Sequence, residues 1–207
     1  MKIIIGTEGQ QPFKIKGGAV SRQHAEVEIL GEGDNARWTL RDLDSTNGTF
    51  VRDDNGVMVP VGKKAISPMT FISLGPDNSK GCSFYARQLL NPGGFTEEYE
   101  FINEKEDEYE EKLEAIDKKA RLIKWAIFAI NIVIVVFSIA IENQMSLWIL
   151  RSGTILSTFF AAIYDANGSK KRLKKKYERF HHCPNPDCSH KLTSAEIRNM
   201  RCQKCKK

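Results

Sequence analysis

Charge is missing where a solvated helix could not do without it. From Trp125 to Ile141 the sequence WAIFAINIVIVVFSIAI runs 17 residues without an ionisable side chain. That excludes a surface helix and meets the short end of what crosses a hydrocarbon core of about 30 Å. Helical periodicity is absent from residues 1–90, which excludes a helical bundle there. No nucleophile–base pairing, P-loop or open metal site is present, so the chain reads as a non-enzyme. Cysteine is nearly absent from the first 182 residues, where Cys82 stands alone in a strand pattern as a small hydrophobe. The opening Lys2-Ile3-Ile4-Ile5-Gly6 holds an apolar run of three, too short for the core of a signal peptide, and predicts a strand.

Against these absences, charge elsewhere is abundant and blocked. The mean hydropathy of −0.38 and the 28% of charged residues describe an ordinary soluble protein only on average. Residues 97–111 hold nine acidic side chains and one lysine, whereas residues 170–179 hold seven basic ones and one glutamate. The net charge of +5 is therefore a sum of opposed segments and says little about nucleic acid.

Beyond a polar turn at Glu142-Asn143-Gln144, a second apolar stretch runs from Leu147 to Tyr164 and carries one charge, Arg151. Lipid offers the backbone no partners, so both stretches are predicted to be helices. The expected spans are 125–141 and 147–164, joined by a non-cytosolic turn at 142–146. Lys118, Lys119, Arg121 and Lys124 precede the first span. Lys170, Lys171, Arg172, Lys174, Lys175 and Lys176 follow the second, within a basic segment at 165–182. Positive clusters on both outer flanks predict that both termini are cytoplasmic and that the basic flank attracts anionic lipid heads. Arg151, four residues into the second span, reaches the interface by snorkelling. Gly153, Ser157 and Ala161 form a small-residue row that either packs the hairpin against itself or pairs two protomers.

Asn91-Pro92-Gly93-Gly94 interrupts regular structure and predicts a linker at 91–95. Thr96 followed by Glu97 and Glu98 suits a helix start, with anions at the positive end of the dipole, and predicts a helix over 96–124. Within it Tyr99, Ile102, Glu106, Tyr109, Leu113, Ile116, Ala120 and Ile123 alternate at spacings of three and four. This is coiled-coil periodicity. It suits a homodimer through residues 99–123, with a stalk of about 37 Å at 1.5 Å per residue, or equally a solvated helix resting on a neighbouring domain.

Residues 1–90 contain short runs of strand pattern separated by turn residues, such as Ala25-Glu26-Val27-Glu28-Ile29, Arg37-Trp38-Thr39-Leu40 and Thr70-Phe71-Ile72-Ser73-Leu74. They predict an all-β sandwich. Two motifs stand out: Ser21-Arg22-Gln23-His24, and some twenty residues later Asp44-Ser45-Thr46-Asn47-Gly48-Thr49-Phe50-Val51. With Ile5-Gly6 at the opening and Ile72-Ser73-Leu74-Gly75 at the close, this region resembles the forkhead-associated (FHA) domain. The resemblance implies an eleven-stranded sandwich whose loops at one end bind phosphothreonine peptides of partner proteins. It places Ser21 and Arg22 in one phosphate-facing loop, Thr46 and Asn47 in another, and makes His24 a buried residue that hydrogen-bonds the loop. The chemistry is apt: phosphothreonine carries nearly two negative charges, and these side chains offer hydroxyl, amide and guanidinium donors. Gly48 marks a tight turn that frees backbone amides. The family pattern opens with Gly-Arg, whose Arg contacts the phosphate; here Thr7 follows Gly6.

In the last 25 residues Cys183 and Cys188 are spaced C-x4-C, and Cys202 and Cys205 follow as C-x2-C. Two close pairs across a short loop suit a structural Zn²⁺ held by four thiolates, as in a zinc ribbon over 183–207. Disulfides are the alternative only outside the reducing cytosol. Four cysteines leave no vacancy for His181, His182 or His190, and so small a unit folds only with its metal. Arg198, Arg201, Lys204 and Lys206 also suit phosphate contacts to nucleic acid, although the aromatic interleaving of single-strand binders is missing.

Overall fold

The computed structural model describes residues 1–15, 18–75, 81–140, 153, 166–188 and 190–207. The alternation Ala25-Glu26-Val27-Glu28-Ile29 becomes a strand, β2 (Ala25–Leu30), whose Ala25, Val27 and Ile29 are buried while Glu26 and Glu28 face outward. It pairs antiparallel with β1 (Lys2–Ile5) and β3 (Arg37–Asp42), setting Val27 opposite both Ile3 and Leu40. On the outer face Lys2 reaches Glu26 and Glu28, and Arg41 reaches Glu26. Such exposed pairs add little stability.

The strand β6 (Lys63–Ile66) completes this sheet, in the order β1-β2-β3-β6. A second antiparallel sheet is ordered β5-β4-β7-β8, from β4 (Thr49–Arg52), β5 (Met58–Pro60), β7 (Phe71–Leu74) and β8 (Cys82–Tyr85). Ile5, Val27 and Leu40 of one sheet meet Val51, Ile72, Leu74 and Phe84 of the other in a core closed to solvent. Cys82 belongs to this core, and burial pushes its thiol up to about 11. Eight strands form among the described residues, against the eleven that the family resemblance implies. Much of the stretch between β1 and β2 runs as turns held by backbone bonds.

All four residues of β7 are buried. Ile72 and Leu74 point into the sandwich, while Phe71 packs edge-on against Tyr85 and under the Arg52 guanidinium, 3.7 Å from its ring centre. A strand buried on both faces needs a cover on its outer side, and the chain supplies one from its own distant segments.

The chain divides into two compact units: residues 1–106 with 176–207, and residues 107–175. The first contains the sandwich, a 3-10 turn at Ala86–Leu89, the first turns of α1 (Thr96–Ala140) and the cysteine tail with its short helix α3 (Ser194–Arg198). There Phe95, Tyr99 and Ile102 join Cys183, Cys188, Leu192, Ile197 and Cys202 in a second apolar cluster. The first positions of the predicted seam are thus covered within the chain: Tyr99 is 1% exposed and Ile102 fully buried.

The second unit contains the rest of α1 and most of α2 (Ala166–Tyr177). A single uninterrupted helix of 45 residues covers the predicted seam and the first apolar stretch as far as Ala140. It is the one described helix long and apolar enough to cross a membrane, and none of its most apolar window is buried. Leu122, Trp125, Phe128, Val133 and Val136 are all exposed. Lys170 of α2 pairs with Asp117 of α1. Gly153 lies so close to α1 that a Cβ there would stand 2.7 Å from Ile134 Cδ1. The remainder of the predicted second span, including Arg151, Ser157 and Ala161, lies outside the described residues.

Candidate functional site

At one end of the sandwich three loops converge. The segment after β1 is bound to the Ser21–His24 loop by Thr7 N–H donating to Ser21 O at 3.1 Å and Glu8 N–H to Arg22 O at 3.0 Å. Only glycine fits at position 6, because a Cβ would stand 2.1 Å from Arg22 O. Thr46 N–H donates to Ser21 Oγ at 3.3 Å and so joins the third loop to the second. The Ser21 hydroxyl accepts in that bond and keeps its own proton to donate outward.

His24, wholly buried, locks this arrangement. Ser21 N–H donates to its Nδ1 at 3.0 Å, so the ring proton sits on Nε2 and is given to Gly48 O at 3.0 Å. One imidazole therefore spans the two motif loops. Asn47 is exposed, and its Nδ2 donates to Ala19 O at 2.8 Å, so part of its amide serves the loop rather than a ligand. Arg22 and Thr46 are exposed, and Ser21 is half-buried beside them. Thr7, also exposed, occupies the position of the family's arginine, with the acidic Glu8 next to it.

A further residue shapes the third loop and escaped the motif reading. Asp42, at the end of β3, accepts from Ser45 N–H at 3.0 Å, from Ser45 Oγ at 2.7 Å and from Thr49 Oγ1 at 2.5 Å. Burial opposes its ionisation, but the bonds from Thr49 and Ser45 prevail and hold the carboxyl below its usual range. The Asp-x-x-Ser spacing of Asp42 and Ser45 was the available signal: an aspartate accepting from a backbone amide a few residues on is ordinary turn chemistry.

The cysteine tail forms the second site. Cys183, Cys188, Cys202 and Cys205 bring their sulfurs within 4.8 Å of one another, and none is in a disulfide. Cys183 and Cys205 are 3.6 Å apart at sulfur, and Cys188 and Cys202 are 3.8 Å apart. Disulfide sulfurs lie about 2.0 Å apart. A tetrahedron with metal–sulfur bonds of about 2.3 Å has edges of about 3.8 Å, so the thiols fit a tetrahedral cation. Burial pushes the thiols of Cys183 and Cys188 up, whereas backbone and side-chain donors overcome it at Cys205 and draw that thiol down to about 7.

Glu196 ties the tail together. Its Oε2 accepts from Thr193 N–H at 2.9 Å in a capping box, and its Oε1 from Gln203 N–H, inside the Cys202–Cys205 knuckle, at 2.8 Å. These backbone donors hold its carboxyl down at about 2. His190 bonds Glu196 at 3.1 Å, and His182 reaches Arg52.

Comparison with known families gives one match, the FHA domain, over residues 3–75. No curated protein matches the chain. The matched span covers the strands from Ile3 of β1 to Leu74 of β7 together with all three converging loops. Residues 3–75, the core of the N-terminal sandwich, match the FHA domain, which is a protein-interaction module.

Proposed function

We propose that this chain is a membrane-anchored adaptor, facing the cytosol, that captures phosphothreonine-bearing proteins with Ser21, Arg22, Thr46 and Asn47. The observation that carries it is the bond from Thr46 N–H to Ser21 Oγ, with His24 bridging the same two loops from behind. The loops that carry Ser21, Arg22 and Thr46 meet there, and the exposed Arg22 and Thr46 are donors of the kind an anion with three acceptor oxygens requires. The full chain in detergent, titrated by calorimetry with matched threonine and phosphothreonine peptide libraries, tests this. Binding of phosphorylated peptides alone, weakened at least tenfold by Ser21→Ala, is expected; negligible binding across the library refutes it. A second reading, a scaffold making phosphate-independent contacts, is favoured by Thr7 and Glu8 where a cation is expected. It predicts that Ser21→Ala leaves partner capture unchanged.

The exposed apolar window of α1 supports the membrane reading, since a soluble core helix would be covered. The hairpin is supported by register. Lys170 pairs with Asp117 and Gly153 lies against Ile134, so the later of the two described positions meets the earlier part of α1, the order an antiparallel return requires. The basic flanks at Lys118–Lys124 and Lys170–Lys176 support cytoplasmic termini and contact with anionic lipid heads. A homodimer along 99–123 would have to form beyond Ile102, because Tyr99 and Ile102 already meet the tail.

The four thiolates are proposed to hold a structural Zn²⁺. With three of the four cysteines buried the site is closed, which suits folding rather than catalysis. One zinc per chain by elemental analysis is expected. The nucleic-acid reading of the basic tail predicts salt-dependent binding of an oligonucleotide.

A further inference from the structure

The tail does not stand on its cysteines alone. Leu192 and Ile197 close against Phe95, Tyr99 and Ile102 at the base of α1. Tyr99 Oη donates to Lys207 O at 3.2 Å. Gln88 Nε2 donates to Pro184 O at 2.7 Å and also lies 3.5 Å from Glu98. On the outer face of the second sheet the Arg52 guanidinium lies 3.7 Å from the Phe71 ring centre and 5.5 Å from that of Phe180, and the His182 ring lies 6.3 Å from the Phe71 ring. Arg179 Nη1 donates to Asn55 O at 3.2 Å. At Gly56 the tail comes so near that a Cβ would stand 2.8 Å from Arg179 Cβ and 3.1 Å from Phe180.

These contacts occupy one end of the second sheet. Arg52 and Phe71 lie at that end of β4 and β7, whereas Gly48 and Gly75, beside the converging loops, lie at the other. Four strand residues span about 13 Å, so the tail grips the sandwich and leaves the loop end clear. Without the tail, the sandwich is joined to α1 through Asn91-Pro92-Gly93-Gly94, the ion pairs of Arg87 with Glu97 and Glu98, and one edge-on ring contact, Tyr85 with Phe101 at 6.3 Å. Ion pairs returned to water hold little.

We infer that the four-cysteine module is a metal-dependent clamp: metal loading decides whether the FHA sandwich is held rigidly on the base of α1 and on the tail, or hangs from the Asn91–Gly94 linker. The clamp rests on the proposed zinc site, because a tail this small has no core of its own without the metal. It acts on the placement of the sandwich, not on its phosphate-facing loops.

Hydrogen–deuterium exchange on the full chain in lipid nanodiscs tests it, with zinc content measured on the same samples. Chelation is expected to raise exchange at least tenfold in residues 181–207, 86–89 and 96–106, while β2 and residues 46–49 keep their protection. Returning zinc restores it, and Cys202→Ser reproduces the metal-free pattern without a chelator. Unchanged protection at 86–89 and 96–106 after measured loss of metal overturns the clamp and leaves the zinc site standing. A chain purified without metal, yet protected at 96–106, overturns both. Retained β2 protection distinguishes release of the clamp from global unfolding.

Discussion

Gln88 Nε2 donates to the carbonyl oxygen of Pro184 at 2.7 Å, joining two buried groups 96 residues apart. Gln88 follows the last strand of the sandwich, and Pro184 follows the first cysteine of the tail. A leucine at 88 fills similar volume but strands the Pro184 carbonyl in an apolar setting, which costs about 1–3 kcal/mol. Gln88→Leu is therefore expected to raise native-state exchange in Cys183–Leu192 by one to two decades. The sandwich melt should stay in place; equal protection in both proteins shows the bond to be dispensable.

His24 carries two bonds of the same kind at the opposite end. Its removal leaves Ser21 N–H and Gly48 O without partners, each at about 1–3 kcal/mol. His24→Ala should lower the thermal midpoint of the sandwich by several degrees. It should also weaken phosphopeptide binding, although the imidazole is wholly buried. A large loss of affinity at an unchanged midpoint would contradict the positioning role.

Much of this end of the molecule was legible in the sequence, because turn chemistry is local. Ser21, Thr46, Asn47 and Gly48 lie in two short motifs, and the strand alternation of Ala25–Ile29 fixes which side chains face inward. The other end was not legible. Glu98 reads as an anion at a helix start and Glu106 as one position of the three–four seam, yet both are buried, Glu98 against Arg87 and Glu106 against His181. The three–four spacing of Tyr99, Ile102 and Glu106 marks a face to be covered, but not that the distant segment around His181 covers it. A second hint was Phe71-Ile72-Ser73-Leu74, whose apolar residues fall on both faces of a strand and so demand a cover on each. Glu196 was legible only in part, since the Thr193–Glu196 spacing announces a helix cap but not the bond to Gln203.

Acid should loosen the third loop before it unfolds the sandwich. The folded carboxyl of Asp42 titrates below the ordinary value of 3.8. Its contribution to stability is therefore complete above that value and is lost as pH falls through the lower folded one. Between pH 5 and pH 2, exchange at Ser45–Thr49 should rise in the native protein. In Asp42→Asn the loop should be looser at neutral pH and nearly indifferent to acid; an unchanged acid response in the variant would assign the effect to another carboxylate.

The Arg87–Glu98 pair offers the sharpest energetic test of the packing around α1. Glu98 is wholly buried, and Arg87 Nη1 lies 3.3 Å from both of its carboxylate oxygens, while Nη2 reaches Glu97 at 2.6 Å. A buried ion pair gains little over well-packed apolar side chains, but removing one partner leaves a charge in a low-dielectric setting. Arg87→Met is thus expected to cost about 3–5 kcal/mol in denaturant unfolding. Glu98→Leu alone should cost less, because Arg87 keeps Glu97 and is itself partly exposed. The double variant Arg87→Met/Glu98→Leu should recover most of the loss, giving a coupling energy well beyond that of a surface pair. If the single and double variants lose the same amount, Glu98 does not depend on Arg87, and the base of α1 is held by its apolar contacts, Phe95, Tyr99 and Ile102 among them.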